Sequence, residues 1–280
     1  MKSLKIFTCA ALLVLFGAGS LHAEEISRHQ LGDYVIICLN EDGGKLDEEI
    51  VQLPPGLRVR QAENWNQAGM NYFVVDTGQE KFLFDAGNPG GNTVKMLSKA
   101  GIAPGEISAV FLTHLHPDHI GGLLDDNGQK VFPKAKMYIS KEEAAYWGDT
   151  AHSGEWFDMA RNVLAAYKAD ITLFEQNRKL QGVESIPTFG HTPGHTSFRV
   201  SSQGKSLLIW GDITHVVAQF ANPEIYVTFD VDSTRAVKTR TELMEQLART
   251  GEPVAGMHIL APAVGTLQKV GTGYKFVPGL

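Results

Sequence analysis

Residues 113–122 read Thr113-His114-Leu115-His116-Pro117-Asp118-His119-Ile120-Gly121-Gly122, which puts four metal-capable side chains directly after an apolar run. Three imidazoles and a carboxylate this close suit a pair of borderline first-row cations, which take neutral nitrogen together with charged oxygen. The spacing divides the four. His114 and His116, two apart at the end of an extended segment, project to one side of the chain. Asp118 and His119 follow a proline and precede two glycines, a turn opening a short helix, and so aim at a neighbouring point. One loop can therefore serve two metal ions.

The pattern around that loop is a layered α/β one. Residues 34–39, 71–75 and 81–84 read as strands of a meander, with turns at Asp76-Thr77-Gly78 and Asp85-Ala86-Gly87. Helical spacing over 92–100 is stopped by Gly101, and 109–112 is the buried strand that delivers the histidine loop, giving a β-α-β order. A strand over 136–139 and a helix over 141–147 follow, and then residues 148–170, rich in aromatics, read as a helical insertion near the site. Strand-like runs resume at 171–174, 197–200, 206–210 and 224–228. A long helix comes after them, capped by Asp232 or Ser233, with Val237, Leu243, Met244 and Leu247 on one apolar face and Gly251 as its stop. No internal repeat or low-complexity linker divides the chain. With 43% hydrophobic residues it can bury a sizeable core, so residues 24–280 are expected to form one catalytic domain.

Three later positions join the first loop. Gly190-His191-Thr192-Pro193-Gly194-His195 sets an imidazole on a glycine-flanked turn, where backbone can approach a metal closely. Trp210-Gly211-Asp212 ends an apolar strand with a carboxylate, and Gly256-Met257-His258 ends another with an imidazole. Singly, Asp212 is an ordinary turn carboxylate and His258 an ordinary satisfied histidine. Strand ends on one rim of a sheet sandwich would gather His114, His116, Asp118, His119, His191, Asp212 and His258 at one edge.

Lys2 and Lys5, an apolar stretch over 10–18 and small residues before Glu24-Glu25 have the form of a secretory signal cut after Ala23. The apolar run is too short to cross a bilayer comfortably, so the mature chain is expected to be periplasmic or secreted, without stable membrane insertion. Cys9 leaves with the signal; Cys38, then alone, can form no internal disulfide and reads as a small core residue. The two departing lysines take the formal charge from −6 to −8, which disfavours a nucleic-acid partner. A small-molecule substrate is expected, and a homodimer stays open.

These motifs, in this order, resemble the metallo-β-lactamase superfamily of binuclear hydrolases. The similarity covers nearly all of residues 24–280 and is greatest to the methyl parathion hydrolase-like branch. That branch is suggested by Phe132-Pro133-Lys134-Ala135, Tyr146-Trp147, Trp210-Gly211-Asp212-Ile213-Thr214-His215-Val216, Gln219-Phe220, Thr228-Phe229-Asp230-Val231-Asp232 and Gly273-Tyr274-Lys275-Phe276-Val277-Pro278. The resemblance implies an αββα sandwich, two mixed β-sheets face to face with helices outside. It implies that His114, His116 and His191 hold one metal and Asp118, His119 and His258 a second, with Asp212 bridging. Asp85 would orient a ligand histidine from behind, and His195 would lie near the site without ligating. Trp147, Trp156 and Phe157 align with an aromatic wall of the leaving-group pocket; ordinary packing is the competing reading for all three.

Two divalent cations, zinc first and manganese, iron or cobalt compatible, bring a shared water to ionise near neutrality. That hydroxide attacks an electrophilic carbon or phosphorus, Asp118 helps to orient it, and no separate general acid is evident. The expected function is an exported hydrolase of a small neutral ester, lactone or phosphotriester. A quorum-quenching acyl homoserine lactonase is the alternative, although Ile213, Thr214 and His215 replace the tyrosine that such enzymes carry two residues after the bridging aspartate. The short Asn88-Pro89-Gly90-Gly91 loop lacks the aromatic residue of parathion-cleaving enzymes. A different class, a metal- or ligand-binding periplasmic protein without turnover, is the second alternative.

Overall fold

The computed structural model describes residues 25–59, 62, 64–90 and 92–280. The expected signal over 1–23 and Gly91 of the 88–91 loop lie outside the described residues. Sixteen strands are described: β1 (Ile26–Leu31), β2 (Tyr34–Lys45), β3 (Val51–Gln52), β4 (Gln67–Asp76), β5 (Lys81–Phe84), β6 (Ile107–Phe111), β7 (Lys136–Ser140), β8 (Ile171–Phe174), β9 (Lys179–Leu180), β10 (Val183–Pro187), β11 (Thr196–Ser202), β12 (Lys205–Ile209), β13 (Tyr226–Val227), β14 (Val254–Ala255), β15 (Val264–Val270) and β16 (Gly273–Pro278). Helices α1 (Thr93–Lys99), α2 (Pro117–Ile120), α3 (Lys141–Gly148), α4 (Glu155–Ala166), α5 (Ala218–Ala221) and α6 (Ser233–Thr250) connect them.

Two seven-stranded sheets result, in the orders β1-β2-β4-β5-β6-β7-β8 and β16-β15-β14-β12-β11-β10-β9. Both are mixed. The first is antiparallel from β1 to β5 and parallel from β5 to β8; the second is antiparallel except for the parallel pair β12 and β14. The strand period of two explains the layering. In β4, Phe73 and Val75 face the core between the sheets, while Tyr72 and Val74 face the helices outside. Phe82, Phe84, Ala109, Phe111 and Tyr138 point to the inner side in the same way, and Leu83, Val110, Met137 and Ile139 to the outer. Because the first sheet is covered on both faces, its central strands read as continuous apolar runs. Phe111 stacks on Phe84 at 5.0 Å and on Tyr138 at 4.7 Å, and Phe198 of β11 meets it edge-on at 5.4 Å, joining the two sheets. Helices α1, α3 and α4 cover the outer face with Met96, Leu97, Trp147, Ala160 and Val163. On the other side α6 packs against β15 through a face that includes Leu243, Met244 and Leu247.

The αββα sandwich expected for the chain is therefore the observed architecture. α6 begins and ends where the cap residues require: Asp232 Oδ1 accepts the Arg235 N–H at 2.9 Å, and Gly251 closes the helix at φ 71°. Several elements differ from the sequence reading. The strand expected over 224–228 is only Tyr226–Val227, paired with Val51–Gln52 in a separate ribbon. Of the expected helical stretch 148–170, Gly148 ends α3, residues 149–154 are not helical, and the helix runs from Glu155 to Ala166. The edge strand β1 and the hairpin β15–β16 carry no clear strand pattern in the sequence, since one face of each is solvated and carries Arg, His, Gln or Lys. No described helix is long and apolar enough to cross a membrane.

Parallel pairing positions the site. β5 and β6 run the same way, so Asp85 and the loop carrying His114 leave the first sheet on one rim; β12 and β14 run the same way, so Asp212 and His258 leave the second sheet together. Loops beyond the carboxyl ends of parallel strands are where open α/β sheets build their sites.

Candidate metal centre

The seven side chains expected as ligands converge at this rim. His116 Nδ1 lies 3.0 Å from His114 Nε2 and 2.9 Å from His191 Nε2, and the last two nitrogens are 3.2 Å apart. Asp212 sits beneath them. Its Oδ2 is 3.7 Å from His114 Nε2, 3.4 Å from His191 Nε2 and 3.1 Å from His258 Nε2, and its Oδ1 is 3.2 Å from His119 Nε2. Asp118 Oδ2 lies 3.6 Å from His119 Nε2 and 3.4 Å from His258 Nε2. Two metal-capable groups follow, His114 with His116, His191 and Asp212, and Asp118 with His119 and His258, with Asp212 touching both.

The side chains behind these ligands fix which nitrogen faces inward. Asp85 Oδ2 accepts from His119 Nδ1 at 2.8 Å, and Asp230 Oδ1 accepts from His191 Nδ1 at 2.8 Å. The Gly69 carbonyl accepts from His258 Nδ1 at 3.0 Å. Thr113 Oγ1 donates its one hydrogen to Asp85 Oδ2 at 2.7 Å, so toward His114 Nδ1, 3.0 Å away, it must accept. In all four histidines Nδ1 carries the proton and the Nε2 lone pair is aimed into the centre, as metal-ligating imidazoles require. Asp85 does this work from a left-handed backbone, φ 58°, which for a non-glycine residue is a strained conformation found where function fixes the chain. Gly121 and Gly122 let the histidine loop lie directly on that turn. A Cβ on Gly121 would stand 2.1 Å from Pro89 N, and one on Gly122 would stand 2.2 Å from the Ala86 carbonyl oxygen.

His195 lies behind the centre. Its Nε2 accepts the Asp212 N–H at 3.0 Å, and burial lowers its pKa to about 3, so a neutral ring holds the backbone of the shared carboxylate. Arg240 of α6, fully buried, holds the same loop by donating to the Ile213 carbonyl at 2.5 Å. Asn71 holds the His258 loop through the Met257 carbonyl at 2.8 Å and the Ile259 carbonyl at 2.7 Å.

Whether these residues suit divalent cations is answered by what they leave unsatisfied. His119 Nε2 and Asp212 Oδ1 are buried with no hydrogen-bond partner, a costly state for groups of such polarity. Three lone pairs converge at 2.9–3.2 Å, close to the about 3.3 Å edge separating two nitrogens bound at 2.0–2.1 Å to a tetrahedral zinc. Electrostatics agree. Burial, with the neighbouring histidines, holds His114 and His116 well below the ordinary imidazole range. Burial also opposes charge on His191, but Asp212 and Asp230 outweigh it and lift His191 to about 9. Burial would raise Asp212, yet His119, His258 and His114 hold it well below the usual carboxylate range. The residues fit a pair of divalent cations.

Above the centre opens a cavity of about 340 Å³ whose wall includes Leu46, Ile50, Ala68, Trp156, His215 and Phe229, with Asp118, Asp212 and His258 reaching it from below. This corrects the expected aromatic wall. Of the three aromatics, only Trp156 reaches the cavity, 44% exposed and edge-on to His116 at 5.1 Å. Trp147 is buried, its ring 5.2 Å from His116, with Nε1 donating to Glu143, and Phe157 packs on Trp147 at 4.6 Å. Both belong to the helix packing under the loop. Conversely, His215, outside the expected site residues, is buried on the cavity wall. Neither ring nitrogen has a hydrogen-bond partner, Nε2 lies 3.3 Å from Asp212 Oδ2, and burial lowers the ring to about 4. Its place three residues after Asp212 on the same turn was the available clue. Leu46 and Ile50, in the irregular chain after β2, carry no periodic pattern that could have pointed to them.

Residues 67–250 match the metallo-beta-lactamase superfamily. A protein of Streptococcus pyogenes serotype M6, described as a probable metallo-hydrolase, is 31% identical over 150 residues, 52% of this chain and 62% of that relative. The chain thus spans less than two thirds of the length of that curated relative. Among solved structures, AbOPH, a hydrolase in the beta lactamase superfamily, superposes with a TM-score of 0.84 at 28% identity, covering 91% of this chain and 98% of that one. AidC, a dizinc quorum-quenching lactonase in complex with a product N-hexnoyl-L-homoserine, gives a TM-score of 0.79 at 25% identity, covering 91% and 97%. The buried His/Asp cluster and the dizinc neighbour together support use of divalent metal ions.

Proposed function

The chain belongs to the metallo-beta-lactamase superfamily, and from that premise we propose that it is a two-metal hydrolase of a small, neutral, partly apolar ester, lactone or phosphotriester, close to the methyl parathion hydrolase-like branch. One observation carries the reading: a His/Asp cluster, buried except for Asp118 and the edge of His258, forms the floor of a mostly apolar cavity. His114, His116 and His191 would hold one cation, Asp118, His119 and His258 the other, and Asp212 both. Bound there, divalent cations supply water of near-neutral pKa and withdraw electron density from the substrate's carbonyl or phosphoryl oxygen.

The chain's own residues do the rest. Asp118, about a third exposed at its side chain, is the carboxylate of the centre most open to the cavity, and its Oδ2 accepts a hydrogen bond from the attacking water and orients it. Leu46, Ile50, Trp156 and Phe229 exclude bulk water and bind the apolar part of the substrate. Their lack of charge favours a neutral molecule over an anion. We place the mature enzyme, residues 24–280 as one domain, in the periplasm or outside the cell, on the strength of the basic, apolar and then small-residue pattern at residues 1–23. Its acidic charge favours no nucleic-acid partner.

The likeness to a quorum-quenching lactonase favours a second reading, opening of an acyl homoserine lactone with the acyl arm along the apolar wall. One purified sample loaded with two cations, offered an acyl homoserine lactone, a p-nitrophenyl ester and a p-nitrophenyl phosphotriester, separates the readings. We expect ester or lactone hydrolysis to exceed triester cleavage. A lactone preference over every ester selects the second reading, and no turnover across the panel with both cations bound would make the protein a binding protein instead.

A further inference from the structure

Glu143, near the start of α3, is a buried carboxylate that none of the roles above uses, and it touches no candidate ligand. It is nonetheless where both loops of the three-histidine set are fastened. Oε1 accepts the backbone N–H of Leu115, the residue between His114 and His116, at 3.0 Å, and the Trp147 Nε1–H at 2.6 Å. Oε2 accepts from Thr192 Oγ1 at 2.7 Å and from the Gly194 N–H at 2.9 Å, on the turn that carries His191. Ser140, the cap of α3, adds a hydrogen bond from its Oγ to the Gly194 carbonyl at 2.8 Å. Contact is close enough that a Cβ on Gly194 would stand 2.2 Å from Glu143 N, so the glycine lets the turn dock on the helix start. Trp147, anchored by the same carboxylate, backs the His116 ring.

We infer that Glu143 is a positioning residue that sets the spacing of His114 and His116 against His191, and thereby the affinity of that set, and not of the Asp118, His119 and His258 set, for its cation. This rests on the reading that the two sets hold metal ions. The physical reason is that two loops from different sheets, about 75 residues apart in sequence, must present nitrogens at 2.9–3.2 Å. Four donors around one carboxylate, three of them N–H groups that cannot accept, tie them to a single rigid body; burial raises the Glu143 pKa and these same hydrogen bonds oppose the rise. An amide cannot replace the carboxylate. Whichever way a glutamine at 143 turned, its NH₂ would face a backbone N–H, that of Leu115 or that of Gly194, and strand it; only the Thr192 hydroxyl could turn to accept.

The test titrates cobalt-loaded wild-type, Glu143→Gln, Thr192→Val and Leu164→Ala chains with a competing chelator, reading metal content and the visible cobalt bands. Leu164 of α4 packs against the apolar cluster beneath α3 and α4 and is not one of the four groups bonded to the carboxylate, so its truncation serves as a general loosening of that packing. We expect Glu143→Gln to release one of its two cobalt ions at an affinity lowered about 10- to 100-fold, the range for losing support behind a ligand, with the other ion unmoved. Thr192→Val shifts the same ion in the same direction by less, and carries the test should Glu143→Gln not fold. Leu164→Ala lowers the melting temperature but keeps both ions. The role is overturned if neither the Glu143 nor the Thr192 variant moves cobalt affinity, if both ions weaken together, or if Leu164→Ala behaves like Glu143→Gln. A wild-type chain that takes up no cobalt overturns the metal reading itself, and this role with it.

Discussion

Asp212→Ala is expected to cost the protein at least one of its two cations and to lower hydrolysis by on the order of a thousandfold. The carboxylate is within 3.7 Å of nitrogens from His114, His191, His119 and His258, so its loss removes an anion from both groups at once. Several kcal/mol of charge stabilisation in the reaction depend on the cations, and at about 1.4 kcal/mol per tenfold that is roughly three powers of ten. Asp118 would then be the one carboxylate left among the seven ligands, on one group only, whereas removing Asp118 leaves Asp212 touching both groups, which is why the effect exceeds that of removing Asp118. Metal content and initial rate with the best substrate of the panel, measured on the same preparation, check this. Asp212→Ala with two bound cations and more than a tenth of wild-type activity would show that the carboxylate is not shared.

Stripping the cations should lower the melting temperature by roughly 15 °C or more, and the gap should widen as pH rises from 6 to 9. Each site filled at a thousand times its dissociation constant adds about 4 kcal/mol to the native state, and each kcal/mol is roughly 2–4 °C in a chain of this size. The pH dependence follows from the protons the cations displace. In the stripped chain His191 is lifted to about 9 from an ordinary 6.5, and His119 and His258 are also raised, each because nearby carboxylates outweigh burial. Such groups stabilise the fold fully below about pH 6.5 and lose that contribution as pH climbs through their folded values, for His191 about 9. The stripped protein is therefore weaker at pH 9 than at pH 6. Cations meet less competition from protons there and bind more tightly. Calorimetric scans of loaded and chelated protein at pH 6, 7.5 and 9 check both parts. A gap that shrinks as pH rises would mean that protons and cations do not compete for these rings.

The parts of the fold legible in the sequence are those with local causes. α6 could be bounded at Gly251 and, at its start, to Asp232 or Ser233, because cap residues make their own hydrogen bonds; the structure has Asp232 as the cap. The His114–His119 loop announced itself because its ligands are neighbours in sequence, and Asp212 and His258 could be attached to it only as polar ends of apolar strands. What lay beyond reach is cooperative. Tyr226–Val227 is a strand only because Val51–Gln52 lies beside it, and the hairpin β15–β16 shows the solvent too much of itself to read as strand. The cavity wall was misjudged for the same reason. Trp147, Trp156 and Phe157 are near neighbours on two short helices, and only the docking of those helices decides that Trp156 looks outward while the other two look in. Glu143 and Asp230 are single polar residues whose work is done across the chain, through loop partners 28 to 51 residues away for Glu143 and one 39 residues away for Asp230. Spacing cannot reveal such pairs.

The central claim is that one buried cage holds two cations, and elemental analysis of protein purified without chelator tests it most directly. The account predicts close to two divalent cations per chain for the wild type, and a loss of metal together with activity in His191→Ala. A wild type that is active while carrying no more than trace metal, or a His191→Ala variant that keeps both ions, would contradict it.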